Sequence, residues 1–149
     1  MGDQTACALK SVCLPSALRA AMVDHAQRVA PDEACGLVAE GVDGLLVHVY
    51  QLTNIDPRPD RFLVDPVEHF ASITHADTAG WTVTAVYHSH PIGHGEPSAI
   101  DLAAPIDPAW ISFVVSRSND RWGVRAFNIR EGTAAELQLV GEPSVGSLR

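Results

Sequence analysis

The run at 81–87, Trp-Thr-Val-Thr-Ala-Val-Tyr, limits this chain more than any other segment. Nearly every residue in it is β-branched or aromatic, which suits a pleated sheet and crowds the turns of a helix. Directly after it come His88-Ser89-His90, then a loop at 91–97 built on Pro91, Gly93, Gly95 and Pro97, then a helix start at Ser98. A buried strand that delivers its last residues into a shaped loop, with a helix beyond, points to a sheet with helices packed on it.

The rest of the chain continues that alternation. Residues 9–14 read as a short strand, and Pro15-Ser16 opens a helix in which Leu18, Met22, His25 and Val29 form one stripe with Ala26 beside it. Pro31-Asp32 ends that helix. Strands are expected at 35–39 and 44–52 around a turn at 41–44, and a short extended piece at 61–64. Asp65-Pro66 starts a second helix that stops before Gly80, since Asp caps and Pro fits the first helical position. Closing strands are expected at 110–116, 122–129 and 134–140. The fold class is therefore α/β, a single domain over 1–149 with its core at about 12–140: a mixed sheet carrying about three helices.

Composition removes several function classes. With 46% hydrophobic and 19% charged residues, the 149-residue chain buries a full core and is not disordered. A net charge of −8 argues against general binding to nucleic acid or anionic membranes. No apolar run approaches the ~18 residues of a membrane span. Met1 to Leu14 lacks the basic start and apolar run of an export signal, and Ala6 breaks the myristoylation pattern at Gly2. Cys7, Cys13 and Cys35 form neither a CxxC pair nor a disulfide framework. The expectation is a cytoplasmic protein with reduced thiols, in which Cys35 is a small buried hydrophobe rather than a nucleophile.

Parity along the strand locates the chemistry. His88 and His90 stand two apart, so their side chains share one face. Beyond the last buried residue of the strand, two imidazoles can reach one metal ion. Asp101 falls in the first turn of the helix that begins at Ser98, and the loop is long enough to fold that turn back against the strand end. Two nitrogens and one carboxylate, with a fourth position open, form the pattern of catalytic rather than structural zinc. The plainer alternative is that Ser98-Ala99-Ile100-Asp101 is simply a capping box. His94 reads as an exposed loop residue, with a ligand or substrate contact as the alternative. A zinc hydrolase also needs a general base. Glu33, Glu40, Glu68 and Glu96 are candidates, and Glu33, at the junction of the first helix and the strand at 35–39, is the best placed.

These residues carry a resemblance. Glu33-Ala34-Cys35-Gly36-Leu37, then His88-Ser89-His90-Pro91, then seven residues to Ser98-x-x-Asp101, resembles the motif of the JAMM (MPN+) metalloprotease family. The likeness extends to Thr53-Asn54 and Asp65-Pro66 and covers about residues 12 to 130. It implies an MPN fold in which His88, His90 and Asp101 bind Zn2+, Glu33 is the general base, and Ser98 steadies the oxyanion. The compact bacterial branch is the most similar, and the stretch from Pro31 to Gly36 looks like its cysteine-releasing members. That branch implies a small ubiquitin-like sulfur-carrier protein as partner, cut after its C-terminal Gly-Gly to release cysteine or a short extension. A homodimer is compatible with these features. Two other readings belong to the same fold: a JAMM peptidase of another substrate class, deubiquitinase-like or cell-wall and phage-associated, and a non-catalytic MPN scaffold.

Overall fold

A computed structural model describes residues 10–58 and 60–142. The readings made on Cys7, on the first strand residue at 9 and on the N-terminal segment before Lys10 lie outside the described residues. Ten elements follow in order: β1 (Ser11–Cys13), α1 (Ser16–Val29), β2 (Cys35–Glu40), β3 (Leu46–Leu52), α2 (Pro66–Ala79), β4 (Thr82–His90), α3 (Ala99–Ala103), β5 (Ile111–Ser118), β6 (Arg121–Arg130) and β7 (Thr133–Val140). The strands form one seven-stranded sheet ordered β1-β7-β6-β5-β4-β2-β3. Among the described strands, only β1 with β7 and β4 with β5 run parallel.

Local chemistry accounts for most boundaries. The Asp65 carboxylate accepts from the amides of Val67 and Glu68, Pro66 occupies the first helical position, and Gly80 closes α2 at φ 78°. The β5–β6 and β6–β7 hairpins turn through two-residue loops, Asn119-Asp120 and Glu131-Gly132, all at positive φ. That turn matches the right-handed twist of the strands on either side. Gly44, also at positive φ, belongs to the turn, so β3 begins at Leu46 rather than at 44.

The sheet separates two apolar layers. On the α1 side, Met22, Ala26, Val38, Ala85, Tyr87 and Phe113 pack together. On the α2 side, Cys35, Leu37, Ala39, Leu52, Ala76 and Val83 form a smaller layer. The expected stripe of α1 is the face that it buries, through Met22, His25 and Ala26.

One boundary differs in a way that matters. The strand expected at 81–87 runs on through His90, because β5 pairs with it in parallel as far as His90 opposite Ser116. His88 and His90 therefore do not stand beyond the last buried residue. They are buried themselves, at 4% and 8% exposure, within the sheet. The pairing partner lies over twenty residues downstream, so local sequence does not reveal it.

Candidate active site

The site is built at the C-terminal end of β4. Even-numbered residues there face α2 and α3, and odd-numbered ones face α1. His88 and His90 thus project on one face while Ser89, between them, turns to the other. The Ser89 hydroxyl accepts from the amide of Ala34 at 2.7 Å, and the Ser89 amide donates to the Ala34 carbonyl at 3.0 Å. This pair of bonds fixes the residue after Glu33 against the histidine-bearing strand. The Asn54 side-chain amide donates to the Glu33 carbonyl at 3.1 Å and holds the same corner from the other side. Neither Ser89 nor Asn54 was singled out in the sequence as a site residue. The signal available for Ser89 was parity alone.

Gly36 lies opposite Tyr87 in the β2–β4 pairing. A Cβ at Gly36 would stand 2.2 Å from Tyr87 Cε1 and 2.3 Å from the Tyr50 carbonyl oxygen. Glycine therefore lets the Tyr87 ring cross β2 and reach His25 of α1, with 2.7 Å between Tyr87 Oη and His25 Nδ1.

Three donor atoms converge. His88 Nε2 and His90 Nε2 are 3.0 Å apart, and Asp101 Oδ2 lies 3.0 Å from the first and 3.1 Å from the second. Asp101 is placed by α3. Its amide donates to Ser98 Oγ at 3.1 Å, and its Oδ2 accepts from the Ser98 amide at 2.7 Å, the reciprocal capping box read from the sequence. The cap and the convergence on the histidines coexist, so the two readings of Ser98–Asp101 do not exclude each other. His90 Nδ1 donates to the His94 carbonyl at 2.7 Å. A carbonyl only accepts, so that bond fixes the proton on Nδ1 and turns Nε2 toward the cluster. His94 thus serves through its backbone, while its side chain is exposed. Phe62 stacks on the other imidazole, with 5.0 Å between its ring centroid and that of His88.

Glu33 completes the group. It is 2% exposed, lies with His88 and His90 in a set of donor atoms all within 4.8 Å of one another, and its Oε1 has no hydrogen-bond partner. Burial pushes its carboxyl up to about 7, against the partial opposition of His90. Burial alone would raise Asp101 as well, but the hydrogen bonds from His88 and His90 outweigh it and hold that carboxyl well below the usual range. Burial likewise disfavours a charged His90, yet its bonds to Asp101 and His94 carry the net shift upward.

The other candidates are placed elsewhere. Glu68 is committed to the backbone and hydroxyl of Thr53, at 2.6 and 2.9 Å. Glu96 lies in the exposed loop, 3.7 Å from Arg125. Glu40 pairs with Thr82 at the far end of β4. Cys35 is fully buried and faces the α2 layer, where burial pushes its thiol up to about 12, far from thiolate character at neutral pH.

The donor set fits a small divalent ion. Zinc takes nitrogen and oxygen donors at about 2.0–2.2 Å, and donors arranged tetrahedrally at that range stand roughly 3.3 Å apart, near the separations found here. The partnerless Glu33 oxygen beside them adds a buried acceptor that the protein itself leaves unsatisfied.

Similarity to known proteins identifies the family of the chain. The family model described as prokaryotic homologs of the JAB domain matches residues 15–130. The CysO-cysteine peptidase of Mycobacterium tuberculosis is 33% identical over 119 residues, covering 78% of this chain and 81% of that protein. The probable TtuB-protein conjugate cleaving protease of Thermus thermophilus is 31% identical over 118 residues, covering 78% and 74%. A protein of Desulfitobacterium hafniense solved in solution superposes with a TM-score of 0.79 at 28% identity, covering 88% of this chain and 92% of that one. A JAB1/MPN domain protein of Archaeoglobus fulgidus shares the fold at a TM-score of 0.55 and 19% identity, covering 88% and 98%. Since the family model spans most of the chain, and both named relatives are peptidases matched over most of their own length, this chain belongs to the Prok-JAB family and is a hydrolase of the JAMM/MPN fold.

Proposed function

We propose that the chain is a zinc-dependent peptidase that hydrolyses the bond after the C-terminal Gly-Gly of a small ubiquitin-like sulfur carrier and releases cysteine or a short extension. The observation that carries this reading is the buried Glu33 carboxyl, whose Oε1 has no hydrogen-bond partner, beside the converging donors of His88, His90 and Asp101. Support for the substrate class comes from relatives named for cutting conjugates of CysO with cysteine and of TtuB with protein.

His88, His90 and Asp101 would hold the zinc, which when bound supplies Lewis acidity and lowers the pKa of water in the site. Glu33, with its carboxyl near 7, takes a proton from the attacking water and returns it to the leaving amine. Ser98 Oγ already accepts from the Asp101 amide, so its own O–H remains to donate to the developing oxyanion. Glu33, His90 and Ser98 share the lining of one open cleft with Gly93 and Pro97, where an extended backbone without side chains makes close approach.

The test is mass spectrometry of a carrier extended beyond its Gly-Gly, incubated with the protein as purified, after chelation, and after restoring zinc. Cutting after the second glycine that is lost on chelation and recovered with zinc is the expected result. Equal cutting of an unrelated peptide with bulky residues at those two positions would favour a general peptidase.

A further inference from the structure

Nine large apolar side chains are exposed among the described residues, and they are not scattered evenly. Six of them, Ile55, Leu63, Val67, Phe70, Ile92 and Ile100, belong to the two segments that border the active site, 55–70 and 92–100. Ile92 and Ile100 line the cleft that holds Glu33, His90 and Ser98. Ile100 and Leu63 also line an apolar cavity of ≈ 580 Å³ beside His88 and Asp101. Ile55 is joined to Leu63, since its amide donates to the Leu63 carbonyl at 2.8 Å. Leu63 follows directly on Phe62, the residue stacked on His88. The chain then runs through the Asp65 cap into α2, where Val67 and Phe70 stand three apart and share one face. That face lies opposite the one that carries the buried Ser72 and Ala76. Val67 and Phe70 are 76% and 75% exposed, so the described fold leaves them open to water.

Singly exposed apolar residues are ordinary on a protein surface, but a run of them bordering one cleft marks a contact with a partner. Resting on the peptidase reading, we propose that this apolar collar docks the folded body of the carrier, through an apolar face of that body, while its tail lies in the cleft. A Gly-Gly tail offers backbone alone, so the binding energy that holds it at Glu33 has to come from a more distant part of the substrate. The collar begins at the cleft walls, so a body tethered to that tail lies over it. The charges around it are matched within the chain: Asp56 meets Arg58 at 2.9 Å, Asp60 meets Arg61 at 3.6 Å, and Glu68 is bound to Thr53. The contact is therefore apolar rather than ionic. Its size also favours a substrate over a second copy of this chain. Stable interfaces take about 20–30 residues a side, and six side chains around a cleft suit a body that must leave after each turnover.

The experiment compares two substrates and one binding reaction. The substrates are a ubiquitin-like sulfur carrier from the same genome, extended beyond its Gly-Gly, and a short peptide with the carrier's last residues and the same extension. With the zinc-loaded protein, Val67→Ser combined with Phe70→Ser should lower kcat/KM for the carrier at least about tenfold, through KM, and leave kcat/KM for the peptide as in the parent. Val42→Ser, at an exposed site on the turn between β2 and β3, should change neither. An unchanged kcat/KM for the carrier, or an equal loss for carrier and peptide, overturns the assignment. In the binding reaction, the carrier without its two terminal glycines is titrated into the protein in a calorimeter. Binding that weakens at least about tenfold in the double variant, and is the same at low and high salt, is expected. No binding, equal binding by parent and double variant, or binding lost at high salt overturns the docking surface. Absence of cleavage of both substrates, beside binding that depends on Val67 and Phe70, overturns the peptidase reading and leaves the surface standing.

Discussion

At the scale of single residues, the site depends on a carboxylate left without a partner. Burying Glu33 while leaving Oε1 unsatisfied costs stability, and a chain keeps such a group where it has chemical use. Glu33→Gln preserves volume and removes the proton acceptor. The expected outcome is an unchanged fold and metal content with turnover lower by about 10²–10⁴-fold, checked by metal analysis alongside kcat on a Gly-Gly-extended carrier. Near-normal turnover would assign the base to another group. The histidines and Asp101 were legible in the sequence because strand parity and capping-box spacing are local rules. Glu33 was legible only as the best placed of four glutamates. Its burial depends on Asn54 and Ser89, which approach from distant parts of the chain.

At the scale of elements, β2 and β4 hold the site through a contact between glycine and an aromatic ring. Gly36→Ala would put a methyl group inside the contact distance of Tyr87 and of the Tyr50 backbone, and the backbone cannot swing away. The expected cost is on the order of 3 kcal/mol, a fall of roughly 10 °C in the thermal midpoint measured by calorimetry. A shift of only a degree or two would mean that the strands part easily. The Tyr87 hydroxyl ends at His25, which burial holds below its ordinary pKa. Arg28 pushes it further down, and Asp24 and Glu68 oppose with smaller effect. A depressed histidine makes the folded state bind fewer protons than the unfolded one. Its contribution is therefore whole above about pH 6.5 and is lost as the pH falls from there toward the lower folded value. Urea unfolding at pH 7.5, 6.5 and 5.5 should show a shallower acid loss in His25→Gln than in the parent, by up to about 1.4 kcal/mol per pH unit. Identical profiles would exclude His25 as the source. Most elements were readable from caps, turns and alternation. The extension of β4 through His90 was not, since it exists only because β5 pairs alongside.

At the scale of the whole molecule, the sequence disclosed the α/β class and the number of helices but not the order of the strands. The parallel pairing of β4 with β5, across α3 and its loops, is set by burying both faces of the sheet at once, a condition no window of sequence contains. The apolar cavity beside His88 and Asp101 was hidden for the same reason, because its walls come from β2, β4, β5, β6, α2 and the segments around α3 and before α2. No described helix is long and apolar enough to cross a membrane. The three-residue β1 is joined to β7 at one margin of the sheet, with β6 and β5 intervening before β4. Amide hydrogen exchange under native conditions should register this as a gradient. The amides of Leu14 and Gln138, which cross between the two strands, should exchange through a partial opening nearly insensitive to denaturant. That of Ser89 should wait for global unfolding. One common exchange free energy would show the sheet opening as a unit. With the gradient, the margin that gathers both ends of the described chain breathes independently of the histidine strand, and turnover proceeds undisturbed while that margin opens and recloses.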